Sequence, residues 1–246
     1  MARMPRMIAS IQGPKGSGKS DISLRGTKRP VTYLDFDYGT EGIGGYENDD
    51  LLDGVNLIQY DPFRGSYLEV EESEQAATAK PEIDRFKRDF RKAVADKVGT
   101  LVVDTFTVAW IAQRVGNPDK TWAQLEAEFH GLVRSCFISP HTNLILIHHE
   151  KKEWGKSGGK SYPTGAYTIE GLEGIDNMVQ LAIRQKHIPR QVVISDGRET
   201  EMQKADFTSE FLKCRDNVSL VGHVETGKPS FADLCVLACP LVDWEA

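Results

Sequence analysis

Met7-Ile-Ala-Ser-Ile-Gln12, followed without a break by Gly13-Pro-Lys-Gly-Ser-Gly-Lys19-Ser20, is the stretch that decides the fold. A short apolar strand runs into a glycine-rich turn that satisfies the whole G-x-x-x-x-G-K-[ST] pattern. Ser20 to about Arg25 then reads as a short helix, closed by Gly26 and by Pro30 beyond it. Glycines let consecutive backbone N–H groups turn inward as an anion-binding nest, and the helix adds its positive N-terminus. Gly13, Pro14, Lys15, Gly16, Ser17, Gly18, Lys19 and Ser20 are therefore expected to cradle phosphates. Lys19 can reach the β- and γ-phosphates, and the Ser20 hydroxyl can hold Mg²⁺.

A phosphate loop of this kind needs a carboxylate near the metal. Gly99-Thr-Leu-Val-Val-Asp104 is a continuous apolar run, as in a strand buried on both faces of a parallel sheet, and Asp104 at its end suits that role. Thr105 can position water or cap the next helix. Hydrolysis also needs a group that orients or deprotonates water. Val31-Thr-Tyr-Leu-Asp35 reads as a second strand, and Asp35-Phe-Asp37-Tyr-Gly-Thr-Glu41 follows at the sheet edge where ligands bind. Asp37 is the favoured base and Glu41 the second choice. Asn143-Leu-Ile-Leu-Ile147 is a further buried strand ending in His148-His149-Glu150; the histidines point to opposite faces, and His149 is preferred as the group that senses the γ-phosphate. Lys213-Cys214-Arg215 places two cations on one side of a strand. They act either as fingers reaching a neighbouring subunit's nucleotide or as a solvated basic edge.

The rest of the chain fits around these pieces. Val55 to Tyr60 reads as a third strand, Glu69 to Lys80 as an acidic loop or frayed helix, and Pro81 as the opening of a helix with Ile83, Phe86, Phe90 and Val94 inward. Trp122 to Cys136 is another amphipathic helix. Met178 to Arg184 and Gln191 to Ser195 are expected strands, with a turn at Asp196-Gly197, and a turn at Thr226 to Pro229 leads into a short C-terminal helix. Alternating strands and helices in the first 150 residues argue for a mainly parallel α/β sheet, with hairpin strands added to one edge by the last third. One domain is expected over 1–246, with a core at about 7–220 and an extension at about 221–246. Thirty basic against 36 acidic residues give a net charge of −6, so a nucleic-acid site must be a local patch. No apolar run approaches the ~20 residues of a membrane helix, and Met1 to Met7 lacks the apolar stretch of a signal peptide. Cys136, Cys214, Cys235 and Cys239 are too few for a disulfide framework, and Cys235 and Cys239 read as core thiols; a reducing cytoplasm fits.

Glu150 to Tyr167 combines lysines, glycines and aromatics, and is expected to be a loop. Lys151, Lys152, Lys156 and Lys160 can neutralise backbone phosphates, while Trp154 and Tyr162 can stack on bases; Arg114 and Lys120 are a smaller candidate pair. The alternative is an ordinary charged surface loop.

Taken in order, the phosphate loop, Tyr33-Leu-Asp-Phe-Asp37, Leu101-Val-Val-Asp104, Ile147-His-His149 and Lys213-Cys-Arg215 resemble the RecA-like ATPase core. The chain looks closest to the short phage-encoded group that includes single-strand annealing recombinases and phage nucleotide-binding proteins. The resemblance implies that Asp37 activates water, that His149 senses γ-phosphate, and that Lys213 and Arg215 reach across a subunit interface. It further implies that the segment from Glu150 binds DNA. Asp37 stands where RecA itself has a longer Glu, and His149 where it has Gln. No separate oligomerisation domain is expected ahead of the first strand, so a ring or filament would use the core's own surfaces. The expected function is an ATP- and Mg²⁺-dependent recombinase acting on single-stranded DNA as a homo-oligomer, with a single-stranded DNA-binding protein as a possible helper, in the cytoplasm of a phage's bacterial host. A small-molecule or nucleotide kinase, or an ATP-switched assembly module, is the alternative.

Overall fold

The computed structural model describes residues 6–40, 49–63, 72–157, 160–188, 192–195, 198–202 and 206–240. In chain order the elements are β1 (Ile8–Gln12), α1 (Lys19–Leu24), β2 (Val31–Asp35), β3 (Val55–Gln59), α2 (Glu72–Ala95), β4 (Thr100–Asp104), α3 (Phe106–Val115), α4 (Trp122–Ile138) and β5 (Asn143–His148). They continue with β6 (Glu150–Ser157), β7 (Lys160–Ile169), α5 (Ile175–Met178), β8 (Leu181–Ile188), β9 (Val192–Ser195), β10 (Arg198–Met202), β11 (Asp206–Cys214), β12 (Val224–Thr226) and α6 (Phe231–Ala238). The main sheet has eight strands in the order β12-β11-β8-β1-β5-β4-β2-β3. From β8 to β3 neighbours are parallel, whereas β11 and β12 add antiparallel. This is the expected mainly parallel α/β fold with C-terminal strands on one edge.

The apolar runs are continuous because successive side chains serve opposite faces. Leu101, Val103, Leu144 and Leu146 join Phe86, Phe90, Phe106 and Phe129 from α2, α3 and α4 on one face. Val102, Ile145 and Ile147 join Ile22, Leu24, Phe231 and Leu234 from α1 and α6 on the other. Cys235 lies in this second cluster beside Cys214, and the Cys239 thiol reaches Asp216 Oδ2 at 3.6 Å.

Three expectations need correction. Helix α2 starts at Glu72 and carries Pro81 in its interior, so the segment read as an acidic loop or frayed helix is largely helical and Pro81 does not open the helix. Pro81 and Ala77, whose carbonyl the missing N–H would have met, both lie on the exposed side, where water can take the carbonyl. The segment from Glu150 is not a loop but an antiparallel ribbon, β6 with β7, standing apart from the main sheet. Met178 closes α5, and the adjoining strand begins only at Leu181. The turn at Asp196-Gly197 lies outside the described residues; β9 and β10 pair on either side of it.

Candidate nucleotide and metal site

β1, β2, β4 and β5 run parallel and deliver their terminal residues to the same edge of the sheet. β1 is buried throughout and hands over to Gly13, where a Cβ would stand 2.2 Å from the Gln185 carbonyl oxygen of β8. Only glycine lets the loop begin this close to the neighbouring strand. Lys19 is buried at the start of α1, and its ammonium donates to the carbonyls of Gly13 (2.9 Å) and Pro14 (2.8 Å). Burial lowers the Lys19 pKa, opposed by the charges of Asp104, Glu150 and Asp37.

Asp104 ends β4 almost fully buried. Its Oδ2 accepts from Ser20 Oγ and from the Tyr33 hydroxyl, each at 2.5 Å. Burial raises the Asp104 pKa, and these two hydrogen bonds oppose the rise. Gly39 lies over this pair, where a Cβ would be 2.6 Å from Asp104 Oδ2 and 2.9 Å from Ser20 Oγ. Thr105 caps α3 by accepting from the Val108 N–H at 3.2 Å, and it also lines the cavity at this edge of the sheet.

β2 stops at Asp35, so Asp35 and Asp37 do not share a continued strand. Asp35 is buried and builds the turn: its carboxylate accepts from the N–H groups of Asp37 and Gly39 and from the Thr40 hydroxyl. That turn swings Asp37 out to His149, with Asp37 Oδ2 3.3 Å from His149 Nε2. The hydrogen bond from His149 holds the Asp37 carboxyl below the usual range, against partial burial and with help from Lys15 and Lys19. Backbone N–H of His149 donates to Thr107 Oγ1 at 3.0 Å, so α3 fixes the histidine's position. His148 faces the other way, fully buried against the Phe106 ring, and burial pushes it down to about 3. Glu41 lies outside the described residues.

Together these groups, with Tyr38 and Phe207, line a cavity of about 510 Å³. A glycine-rich turn, a buried lysine and a hydroxyl–carboxylate pair could together hold a metal-bound triphosphate. Ser20 Oγ and Asp104 Oδ2 could supply hard oxygen ligands of the kind Mg²⁺ prefers.

A family model described as an AAA domain matches residues 6–204. The chain belongs to that family. Nothing among the curated proteins matches it. Among solved structures it is similar to one titled "Crystal structure of the RadB recombinase", with a TM-score of 0.51, 15% identity, and coverage of 91% of this chain and 87% of that one. The fold is thus that of a RecA-like P-loop ATPase.

Beyond the cavity, the expected residues are distributed as follows. Lys151, Lys152, Trp154 and Tyr162 are exposed on the β6–β7 ribbon, with the Tyr162 ring lying over Gly155. Lys156 and Lys160 take part in its strand pairing near the tip. Arg114 stacks over the Trp122 ring at 4.6 Å. Lys120 is tied to Glu128, a carboxylate shared with Lys87 and Gln113 and held down to about 2 by those hydrogen bonds despite partial burial. Lys213 and Arg215 donate to the backbone carbonyls of Asp176 and Asn177 in α5.

Sequence reasoning missed the group that joins the ribbon to the phosphate-loop strand. The Glu150 side chain is buried, ion-paired with Arg184 Nε at 2.7 Å and accepting from Gln12 Nε2 at 3.2 Å. Arg184 in turn lies over the Tyr167 ring at 4.5 Å. Gln12, Glu150 and Arg184 come from β1, β6 and β8, and no local pattern announces their meeting. The polar strand ends were the only available signal.

Proposed function

We propose that the protein is an ATP-dependent recombinase of the phage type that binds single-stranded DNA and promotes annealing or strand pairing. It hydrolyses Mg-ATP at interfaces between copies of itself, in the host cytoplasm and beside a single-stranded DNA-binding protein. The observation that carries this reading is the continuity of chain from the cavity to the ribbon. His149, bonded to Asp37, is followed at once by Glu150, which is anchored to Gln12 and Arg184. Exposed Lys151, Lys152 and Trp154 come next. A change at the phosphates therefore moves the base of a surface suited to a polyanion with unstacked bases. The likeness in fold to a RadB recombinase agrees with this assignment.

In the mechanism, the loop amides and Lys19 bind the β- and γ-phosphates, and Lys19 exchanges its contacts to the Gly13 and Pro14 carbonyls for phosphate oxygens. Ser20 and Asp104 would hold Mg²⁺, which would supply charge neutralisation to the triphosphate. Asp37, kept ionised by His149 and the nearby lysines, orients the attacking water and accepts its proton. His149 links the state of Asp37 to Glu150 and the ribbon. Lys213 and Arg215 serve as fingers toward another copy's triphosphate.

Fluorescent oligonucleotide binding tests the reading. Binding should be salt-sensitive, stronger with a non-hydrolysable ATP analogue, and lost when Lys151, Lys152 and Lys156 are all changed to Ala. Hydrolysis that ignores DNA but rises with a small hydroxyl acceptor would replace it with the kinase reading. Nucleotide binding with negligible turnover would favour an assembly switch.

A further inference from the structure

The cavity has an aromatic wall that the phosphate chemistry does not use. Phe207, at the start of β11, lines it there, and an added Cβ on Gly18 would stand 2.9 Å from the Phe207 ring. The ring edge thus abuts the phosphate loop two residues before Ser20, the residue that meets Asp104. The surroundings of the ring are open. The His187 ring is tilted against it with centroids 5.1 Å apart, and the Lys228 ammonium stands over it at 5.5 Å. His187 and Lys228 are both exposed, so the ring is flanked by solvated side chains and not by packed core. A half-buried phenylalanine placed this way, at the loop's flank in a cavity whose one other aromatic, Tyr38, stands beside Asp37, offers its ring to a planar partner.

We propose that Phe207 is the nucleobase platform of this site: the triphosphate lies along the loop with its γ end at Asp37 and its base stacked on the Phe207 ring. This rests on the nucleotide reading above and deepens it. The Lys228 ammonium gives up the ring face to the base, since an exposed lysine on a long stem is easily displaced and remains well hydrated. A stacked base is read by its face, which every base has. Phe207 therefore confers affinity without selecting one purine over another, and ATP and GTP bind alike unless a base edge meets another group.

The experiment compares Mg-ATP with Mg-tripolyphosphate, which has the phosphates but no base, by calorimetry on the full chain. Phe207→Ala should weaken Mg-ATP about tenfold, the size of one lost base–aromatic stack, and leave Mg-tripolyphosphate unchanged. Phe207→Trp should retain Mg-ATP, with tryptophan emission quenched by Mg-ATP and not by Mg-tripolyphosphate. If Phe207→Ala binds Mg-ATP as tightly as the parent, or weakens both ligands equally, the ring merely supports the loop and the proposal fails. If the parent protein takes up neither ligand, the nucleotide site itself is wrong and the platform falls with it.

Discussion

The contact between Asp37 and His149 makes the charge on one carboxylate depend on one imidazole. Because the hydrogen bond from His149 is the largest cause of the lowered Asp37 pKa, Asp37 remains ionised below the ordinary carboxylate range. A group with a depressed pKa loses its charged form only as pH falls through that depressed value. The acid limb of kcat should therefore lie below the usual carboxylate range, and His149→Ala should move it to higher pH, which a pH–rate profile reads directly. An acid limb unmoved in His149→Ala would mean that another group carries it. Asp37→Asn should lower kcat by at least about 100-fold, the usual scale of a lost general base, with affinity for Mg-ATP little changed. Intact hydrolysis in that variant would move the role to Glu41 or elsewhere. Asp35 shows how residue type misleads here. The same carboxylate chemistry, two positions earlier, is spent on two backbone N–H groups and a threonine hydroxyl, and is buried beneath the turn it forms.

At the level of elements, what could be read from sequence divides along a physical line. β1, β2, β4 and β5 each bury both faces, so their composition alone identifies them, and their terminal polar residues mark the ligand edge. The β6–β7 ribbon satisfies its backbone by pairing with itself. Its side chains therefore carry no apolar period, and glycine and lysine content reads as loop. Proline normally opens a helix, so the sequence places the start of α2 at Pro81, while packing of Ala79, Ile83, Phe86 and Phe90 against the sheet outweighs the lost hydrogen bond and lets the helix begin at Glu72. Pro81→Ala should accordingly stabilise the protein by about 1–3 kcal/mol, since proline is about 3 kcal/mol worse than alanine inside a helix and part of that returns through the freer unfolded chain. An unchanged or lower midpoint in urea would show that the helix needs the bend. For the ribbon, a double change of Lys151 and Lys152 to Ala should flatten the log–log salt dependence of oligonucleotide binding by about 1.4, at roughly 0.7 per phosphate contact on a single strand. A lower affinity with the same slope would mean that these lysines shape the ribbon without touching phosphate.

Across the whole molecule, the direction of β11 decides which nucleotide its cations can serve. β11 runs antiparallel to β8, with Asp206 opposite Ile188 and Cys214 opposite Leu181. Phe207 thus stands at the phosphate-loop edge, and Arg215 is eight residues further on, at the other edge of the sheet. At about 3.3 Å per residue that is a separation on the order of 25 Å, far beyond the length of an arginine side chain. Arg215 cannot touch its own chain's triphosphate, so any part it takes in hydrolysis is played on a neighbouring copy. Its hydrogen bond to the Asn177 carbonyl, like that of Lys213 to Asp176, holds it against α5. Arg215→Ala should then cut hydrolysis by about 10³-fold, the lower range for a lost arginine finger, with thermal stability and Mg-ATP affinity near those of the parent. Lys19→Ala, which removes the phosphate-loop lysine, should be inactive alone. Mixing the two inactive proteins should partly restore turnover, because a Lys19→Ala subunit still offers Arg215 to the intact phosphate loop of an Arg215→Ala neighbour. Full activity in Arg215→Ala would remove the finger altogether. An inactive Arg215→Ala protein that mixing fails to rescue, with a lowered melting temperature, would reduce Arg215 to an anchor for α5 and leave hydrolysis to a single chain.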